Sequence, residues 1–256
     1  THGDTNETPF STGTYASRSI VMAGGAVAKA CDVLVTRLHA IAAHLLGETP
    51  SSVTFADGCF VGTRSSVGFR EIGEAWYHRP ERLPKNVITS GLEVTEAYRP
   101  AVDTGVFSYA SHGAEVEVDV DTGQVKILDY AICEDCGTLV NPMVVEGQTI
   151  GGAVQGIGTA LFEEMPYDDA AQPLASTDAD YLLPGPAEMP TIRIEHMETP
   201  SPHTRFGIKG VGEGGAIAPP AAILNAVNRA LESFGVEFSQ TPLTARRLIG
   251  ALLTKP

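Results

Sequence analysis

The residues from Asn141 to Phe162, NPMVVEGQTIGGAVQGIGTALF, read as a helix, yet five of them are glycine. Each glycine inside a helix costs about 1 kcal/mol relative to alanine. So many on one helix imply that its backbone comes close to something else: a neighbouring element, or a flat ligand. The rest of the chain must be arranged around that bare helix. Residues 20–46 repeat apolar side chains at helical spacing (Val27, Cys31, Leu34, Leu38, Ile41, Leu45), with Gly24 and Gly25 near the start and Gly47 as a stop. Ser52–Phe55 is strand-like, Asp57-Gly58 is a turn, and Trp76–Arg79 reads as a helix end halted by Pro80. Residues 92–131 read as strands, with AEVEVDV and QVKILDYA forming a hairpin about Asp121-Thr122-Gly123. Ile192–Met197 is a short strand, 203–218 a glycine-rich loop, Pro219-Pro220 the start of a helix to about Phe234, and Thr244–Leu253 a last short helix. Strands and helices mix without regular βαβ alternation, so the class is α+β.

Composition excludes some functions. Acidic residues number 31 against 17 basic ones in 256, giving a formal charge of −14. Nucleic acid and anionic membrane surfaces are poor partners for such a chain. It has no run of 18 or more purely apolar residues, and no membrane span is expected. No basic and then apolar leader is visible, and the sequence opens at Thr1. The expectation is a processed or truncated product, or a piece of a larger polypeptide. Four cysteines do not make a secreted disulfide scaffold at this length, and a cytoplasmic location is expected.

Chemistry concentrates in the glycine-rich loops. In FGIKGVGEGG, Phe206–Gly215, five of ten residues are glycine and Glu213 stands between two of them. A carboxylate without bulky neighbours can project into a cavity, although the same residues suit a solvated turn. The spacing of Gly210, Gly212 and Gly215 matches GxGxxG, but His203–Phe206 is no apolar strand, so a Rossmann site is rejected. Gln148 and Gln155 lie two helical turns apart on the bare helix, and Gln155 among glycines could pair with a planar heterocycle. GTYASRS, Gly13–Ser19, precedes the first helix, where small hydroxyls, free N–H groups and Arg18 suit a phosphate; a helix cap at Ser17 or Ser19 is the plainer alternative. Cys133-Glu-Asp-Cys136 is a lone CxxC with no second ligand pair and is read as neither metal nor redox site. His196 and His203 make an unconvincing ligand pair, Cys31 belongs on an apolar helix stripe, and Glu163-Glu164 and Asp168-Asp169 read as a solvated face. No G-x-S-x-G, H-E-x-x-H or P-loop occurs.

In order along the chain, GTYASRS, Ala30-Cys31, VEVDVDTGQVKI, DCGTLVNPMVVEGQTIGGAVQGIGTALFEE and GIKGVGEGGAIAPPAAILNAV resemble the C-terminal half of the molybdenum-binding large subunit of the xanthine oxidase family. That family includes xanthine and aldehyde oxidoreductases, carbon monoxide dehydrogenase and bacterial N-heterocycle hydroxylases. The resemblance runs from about Gly3 to Leu248 and implies two packed mixed α/β lobes, residues 1–95 and 96–256. It implies that Glu213 is the base that activates a Mo–OH oxygen for attack on an aldehyde or N-heteroaromatic carbon, with hydride passing to Mo=S and water replacing the oxygen. It further implies that Gln155 binds molybdopterin, and that Thr14, Tyr15, Ala16, Ser17, Arg18 and Ser19, with Lys209, Gly210 and Gly212, hold the cofactor and its anionic tail.

The implied cofactor is Mo-molybdopterin, in its cytosine dinucleotide form. The family's N-terminal half, with its GGGFGG-type and arginine-containing loops, has no counterpart here, nor do the [2Fe–2S] cysteine patterns or an FAD region. The implied partners are an N-terminal molybdopterin-binding chain or segment, iron–sulfur and FAD subunits, and a small-molecule substrate. A chain holding half of an active site remains open against a non-catalytic assembly module or an isolated domain.

Overall fold

A computed structural model describes residues 1, 3–7, 13–85, 91–102 and 106–254. The expected irregular start and the expected strands from residue 92 lie partly outside that set. The chain forms two compact units, residues 22–99 and residues 1–21 with 100–256. The first 21 residues therefore group with the larger unit, not with a lobe spanning 1–95. The reason is hydrogen bonding from Ser17 to Glu213, set out below.

In the smaller unit, helix α1 (Ser19–Leu46, its first three residues grouped with the larger unit) precedes strands β1 (Thr54–Ala56), β2 (Cys59–Val61) and β3 (Ser66–Gly68) and helix α2 (Phe69–Tyr77). The strands form an antiparallel sheet in chain order. Asp57 and Gly58, with φ of 49° and 74°, make the two-residue turn between β1 and β2. That double positive φ is what a tight hairpin requires, and Asp-Gly supplies it at low cost. Leu38, Ile41, Phe60 and Ile72 are the buried centre, with Leu34 and Leu45 packed against it. Val27 and Cys31, expected on the same stripe, are exposed, because the core of this unit reaches along α1 only from Leu34 to Leu46. By length and composition α1 passes the test for a membrane-crossing helix. Its second half lies in the core instead, and Lys29, Asp32 and Arg37 interrupt it.

In the larger unit, β4 (Tyr109–Val118) and β5 (Val125–Asp135) form the expected hairpin. Helix α3 (Pro142–Leu161) then returns the chain to β6 (Ile192–Met197), which lies parallel to β5. This single β5–α3–β6 crossover puts β5 in the centre of a three-stranded sheet. Asn141 caps α3 by accepting a hydrogen bond from Val144 N–H at 3.3 Å, with Pro142 in the first turn. Helices α4 (Gly214–Ile217), α5 (Pro219–Ala230) and α6 (Ala245–Thr254) follow. Ile127, Tyr130 and Ile132 of β5, Ala153 and Ile157 of α3, Ile223 and Val227 of α5, and Leu248 of α6 build one core. The acidic pairs after α3 are not simply solvated. Glu163 accepts a hydrogen bond from Tyr181, Glu164 pairs with Arg246 at 3.2 Å, and Asp168 accepts the N–H groups of Ala170 and Gln172.

The glycines of α3 divide between two faces. A Cβ on Gly152 would lie 3.0 Å from Gly215 Cα, and one on Gly156 would lie 2.7 Å from Ala216 O. From the other side, a Cβ on Gly215 would lie 2.3 Å from Thr149 O. Gly147 and Gly151, by contrast, have nothing within 4 Å of an added Cβ. Gly156→Ala and Gly215→Ala should each lower stability by about 1–3 kcal/mol through overpacking against backbone. Gly147→Ala should raise it by about 0.5–1 kcal/mol through helix propensity. Urea unfolding of the three variants checks this contrast within one helix pair.

Candidate active site

Glu213 is the N-cap residue of α4, so the packing of α4 on α3 fixes where its backbone stands. Its side chain is tied to the loop before α1. Ser17 Oγ donates to Glu213 Oε2 at 2.7 Å, and Glu213 N–H donates to Ser17 Oγ at 2.9 Å. A Cβ on Gly210 would lie 2.7 Å from Ser17 Cβ and 2.8 Å from Ser17 O. Only glycine lets the two segments approach so closely. Ala16 and Ser17 hold φ of 52° and 53°, an uncommon left-handed conformation for residues with side chains. Such strain persists where surrounding contacts over-determine it, and the reciprocal bonds to Glu213 supply those contacts.

Ala16, Ser17, Glu213 and Ile217 border a cavity of about 580 Å³ that also reaches Phe107 and the end of β5. Glu213 itself is exposed in this chain, and Phe107 and Ile217 are exposed by 86% and 74%. The cavity is therefore open on one side.

The loop leading to Glu213 is anchored on β5. Lys209 and Asp135 form an ion pair of 3.0 Å, with side chains 7% and 0% exposed. Lys209 N–H donates to Cys136 O, and Ile208 bridges to Gly137. Burial would raise the Asp135 carboxyl, but hydrogen bonds from Thr199, Gly137 N–H and Lys209 outweigh it and hold the group well below the usual carboxylate range. Lys209, expected beside an anionic cofactor, is therefore committed to a buried structural pair and stacks its ammonium 4.8 Å from the Tyr109 ring centre. It does not line the Glu213 cavity.

The remaining expected residues fall as follows. Thr14 and Ser19 share a hydroxyl hydrogen bond of 2.5 Å before α1. Arg18 lies over the Tyr15 ring at 3.8 Å and donates to Tyr15 OH and Gly13 O. Gly212 faces Gln148, whose Nε2 would be 3.6 Å from a Cβ there. The amide beside the Glu213 loop is thus Gln148. Gln155 lies seven residues farther along α3, exposed, on the face that holds Gly147 and Gly151. Cys133 ends in β5 and Cys136 follows it as a buried free thiol, pushed up to about 11 by burial and then by the nearby charge of Glu134.

Sequence reasoning missed Glu134, Asp135 and Thr149, all buried around this site. The available signal was two adjacent acids closing an apolar strand, ILDYAICED, where solvated acids are out of place.

Comparison with known proteins places the chain in a family. The profile of the molybdopterin cofactor-binding domain matches residues 1–190. The chain is 38% identical over 254 residues to the nicotine 6-hydroxylase large subunit of Paenarthrobacter nicotinovorans, covering 97% of this chain and 30% of that one. It is 33% identical over 249 residues to the carbon monoxide dehydrogenase large chain of Hydrogenophaga pseudoflava, covering 96% and 30%. Among solved structures, quinoline 2-oxidoreductase from Pseudomonas putida 86 superposes with a TM-score of 0.86 at 37% identity, over 96% of this chain and 31% of that one. The chain spans about 30% of the length of the curated relatives it matches.

Lys209→Met leaves the buried Asp135 charge without its cation and should cost about 3–5 kcal/mol. Lys209→Met combined with Asp135→Asn should cost less, because no charge remains buried. Since the Asp135 carboxyl is depressed on folding, its stabilisation is complete above about pH 4 and fades as pH falls below that. Denaturant unfolding of both variants and the parent at neutral and acid pH tests the pair.

Proposed function

The chain belongs to the molybdopterin cofactor-binding domain family, and on that premise we propose that it is the Glu213-bearing portion of a molybdenum hydroxylase large subunit. The reaction is hydroxylation of an aldehyde or N-heteroaromatic carbon with oxygen from water. The observation that supports this reading is the reciprocal pair of hydrogen bonds between Ser17 and Glu213, which sets one carboxylate at the mouth of a cavity.

The residues present fit a flat, anionic cofactor. Gly147 and Gly151 leave a strip of α3 without side chains, with open space above it and the amides of Gln148 and Gln155 exposed on the same helix. Those amides can both donate and accept toward a heterocycle. The hydroxyls of Thr14 and Ser19 and the start of α1 suit the cofactor's phosphate or dinucleotide tail. When bound, the molybdenum centre supplies the oxygen transfer and takes up the electrons.

Glu213 acts as the general base. Oε2 is held by the Ser17 hydroxyl, leaving Oε1 to accept a proton in the cavity. The Glu213 N–H, fixed on Ser17, stops the loop from turning the carboxylate away. Val106, Phe107 and Ile217 give the cavity apolar walls for an aromatic or aldehyde carbon. Iron–sulfur and FAD subunits would take up the electrons, and an N-terminal molybdopterin-binding chain or segment would supply the remaining cofactor contacts. A cytoplasmic setting, which keeps thiols reduced, suits the free Cys31, Cys59, Cys133 and Cys136.

In the assembled enzyme, Glu213→Gln should abolish turnover and leave the molybdenum content unchanged. Ser17→Ala should lower kcat by about 100-fold through misplacement of the base, again with the metal retained. Steady-state kinetics with metal analysis checks both, and substantial turnover by Glu213→Gln would remove the assignment.

A further inference from the structure

A second glutamate borders the cavity of Glu213, and the proposed base chemistry does not use it. Glu134 lies at the end of β5 with its side chain 4% exposed. The Thr149 hydroxyl donates to its Oε1 at 2.6 Å. Its Oε2 would lie 3.6 Å from a Cβ on Gly214, the residue after Glu213.

Behind Glu134 stands His196. The two are register partners across β5 and β6, so their side chains share one face of the sheet. His196 Nδ1 is 3.2 Å from Glu134 Oε1, yet it is buried and makes no aligned hydrogen bond. A small ring rotation would align it. The imidazole is 20% exposed, against 4% for the Glu134 side chain.

Two neighbouring groups are already committed. Asp135 is matched by Lys209. The Cys136 thiol, raised by burial and the charge of Glu134, stays protonated near neutral pH. Among the described residues, His196 is the one basic side chain within ion-pair distance of Glu134.

We propose that Glu134 and His196 form the route by which protons leave the Glu213 cavity, an inference that rests on Glu213 being the base. The O–H bond on Glu213 breaks as one forms on Glu134 Oε2, through water in the cavity. Rotation of the carboxyl brings the proton to the His196 side, Nδ1 takes it, Nε2 releases a proton to solvent, and return of the ring to its Nε2–H tautomer resets the route for the next turnover. No electrons move in these steps. Oxidation of a C–H bond with water liberates protons at every turnover, so such a site needs an exit.

The test uses the assembled enzyme with Glu134→Gln and His196→Ala. Both should keep the parent molybdenum content and KM, and lose at least about tenfold in kcat, with a larger solvent deuterium isotope effect. Imidazole added to the buffer should restore His196→Ala, which it would not do for a merely structural histidine. Independently of turnover, the infrared difference between dithionite-reduced and oxidised enzyme should show a carboxyl C=O band that shifts in D2O and is absent in Glu134→Gln. Parent rates and isotope effects in both variants, failure of imidazole to restore His196→Ala, or a carboxyl band unchanged by Glu134→Gln would each overturn the relay. If Glu213→Gln is inactive while both relay variants run at full rate, the relay alone fails. If Glu213→Gln turns over, the base assignment itself is wrong.

Discussion

The backbone-to-backbone contact between α3 and α4 is the constraint from which the rest of the larger unit follows. Gly152 and Gly156 on one side and Gly215 on the other leave no room for a methyl group. Protein interiors are close-packed, so a contact made of bare backbone has almost no freedom to slide. Glu213 is the residue immediately before this contact, at the start of α4. Its position is therefore inherited from the packing of two helices, and only the direction of its side chain is left to be set.

Two polar tethers set that direction. Upstream, the buried Lys209–Asp135 pair pins the loop to the end of β5. Downstream, Ser17 reaches Glu213 across 196 positions of sequence. The tethers differ in kind. An ion pair removed from water contributes little net energy once desolvation is counted, but breaking it strands a charge, so it enforces one loop geometry. The Ser17 bonds sit at the cavity edge and act on the carboxylate itself. The first tether makes the loop rigid, and the second orients the group that does chemistry on it.

Much of this could be read from the sequence, and the gaps have a physical cause. Local signals were reliable: Asp57-Gly58 as a hairpin turn, the hairpin of β4 and β5, and Pro219-Pro220 opening α5 each depend on neighbouring residues. The glycines of α3 were also legible as a sign of close approach, which a neighbouring helix makes at Gly152 and Gly156, whereas Gly147 and Gly151 face open space. Pairings over long sequence separation were not legible. Lys209 reads as a free cation because its partner Asp135 is 74 positions away. Gln148 and Gln155 share a helix face by period alone, and only the fold shows that Gln148 is the one beside Gly212. The stripe on α1 was over-extended to Val27 and Cys31 because periodicity gives a face but not how far a neighbour covers it.

On the proposed function, the chain holds a base but not the enclosure the base needs. A carboxylate open to water is screened. General-base catalysis gains from a site that excludes water and fixes the reacting groups. Here Phe107 and Ile217 project from the cavity rim with most of their surface uncovered, and the chain spans about 30% of its curated relatives. Closing that rim would bury apolar surface at about 25 cal/mol per Å² and at the same time dry the cavity around Glu213. Assembly and catalysis are then coupled through the same side chains. The buried Glu134 fits this view, since a sealed cavity needs another way to shed protons, and in the proposed relay Glu134 of β5 lines the cavity with His196 of β6 behind it.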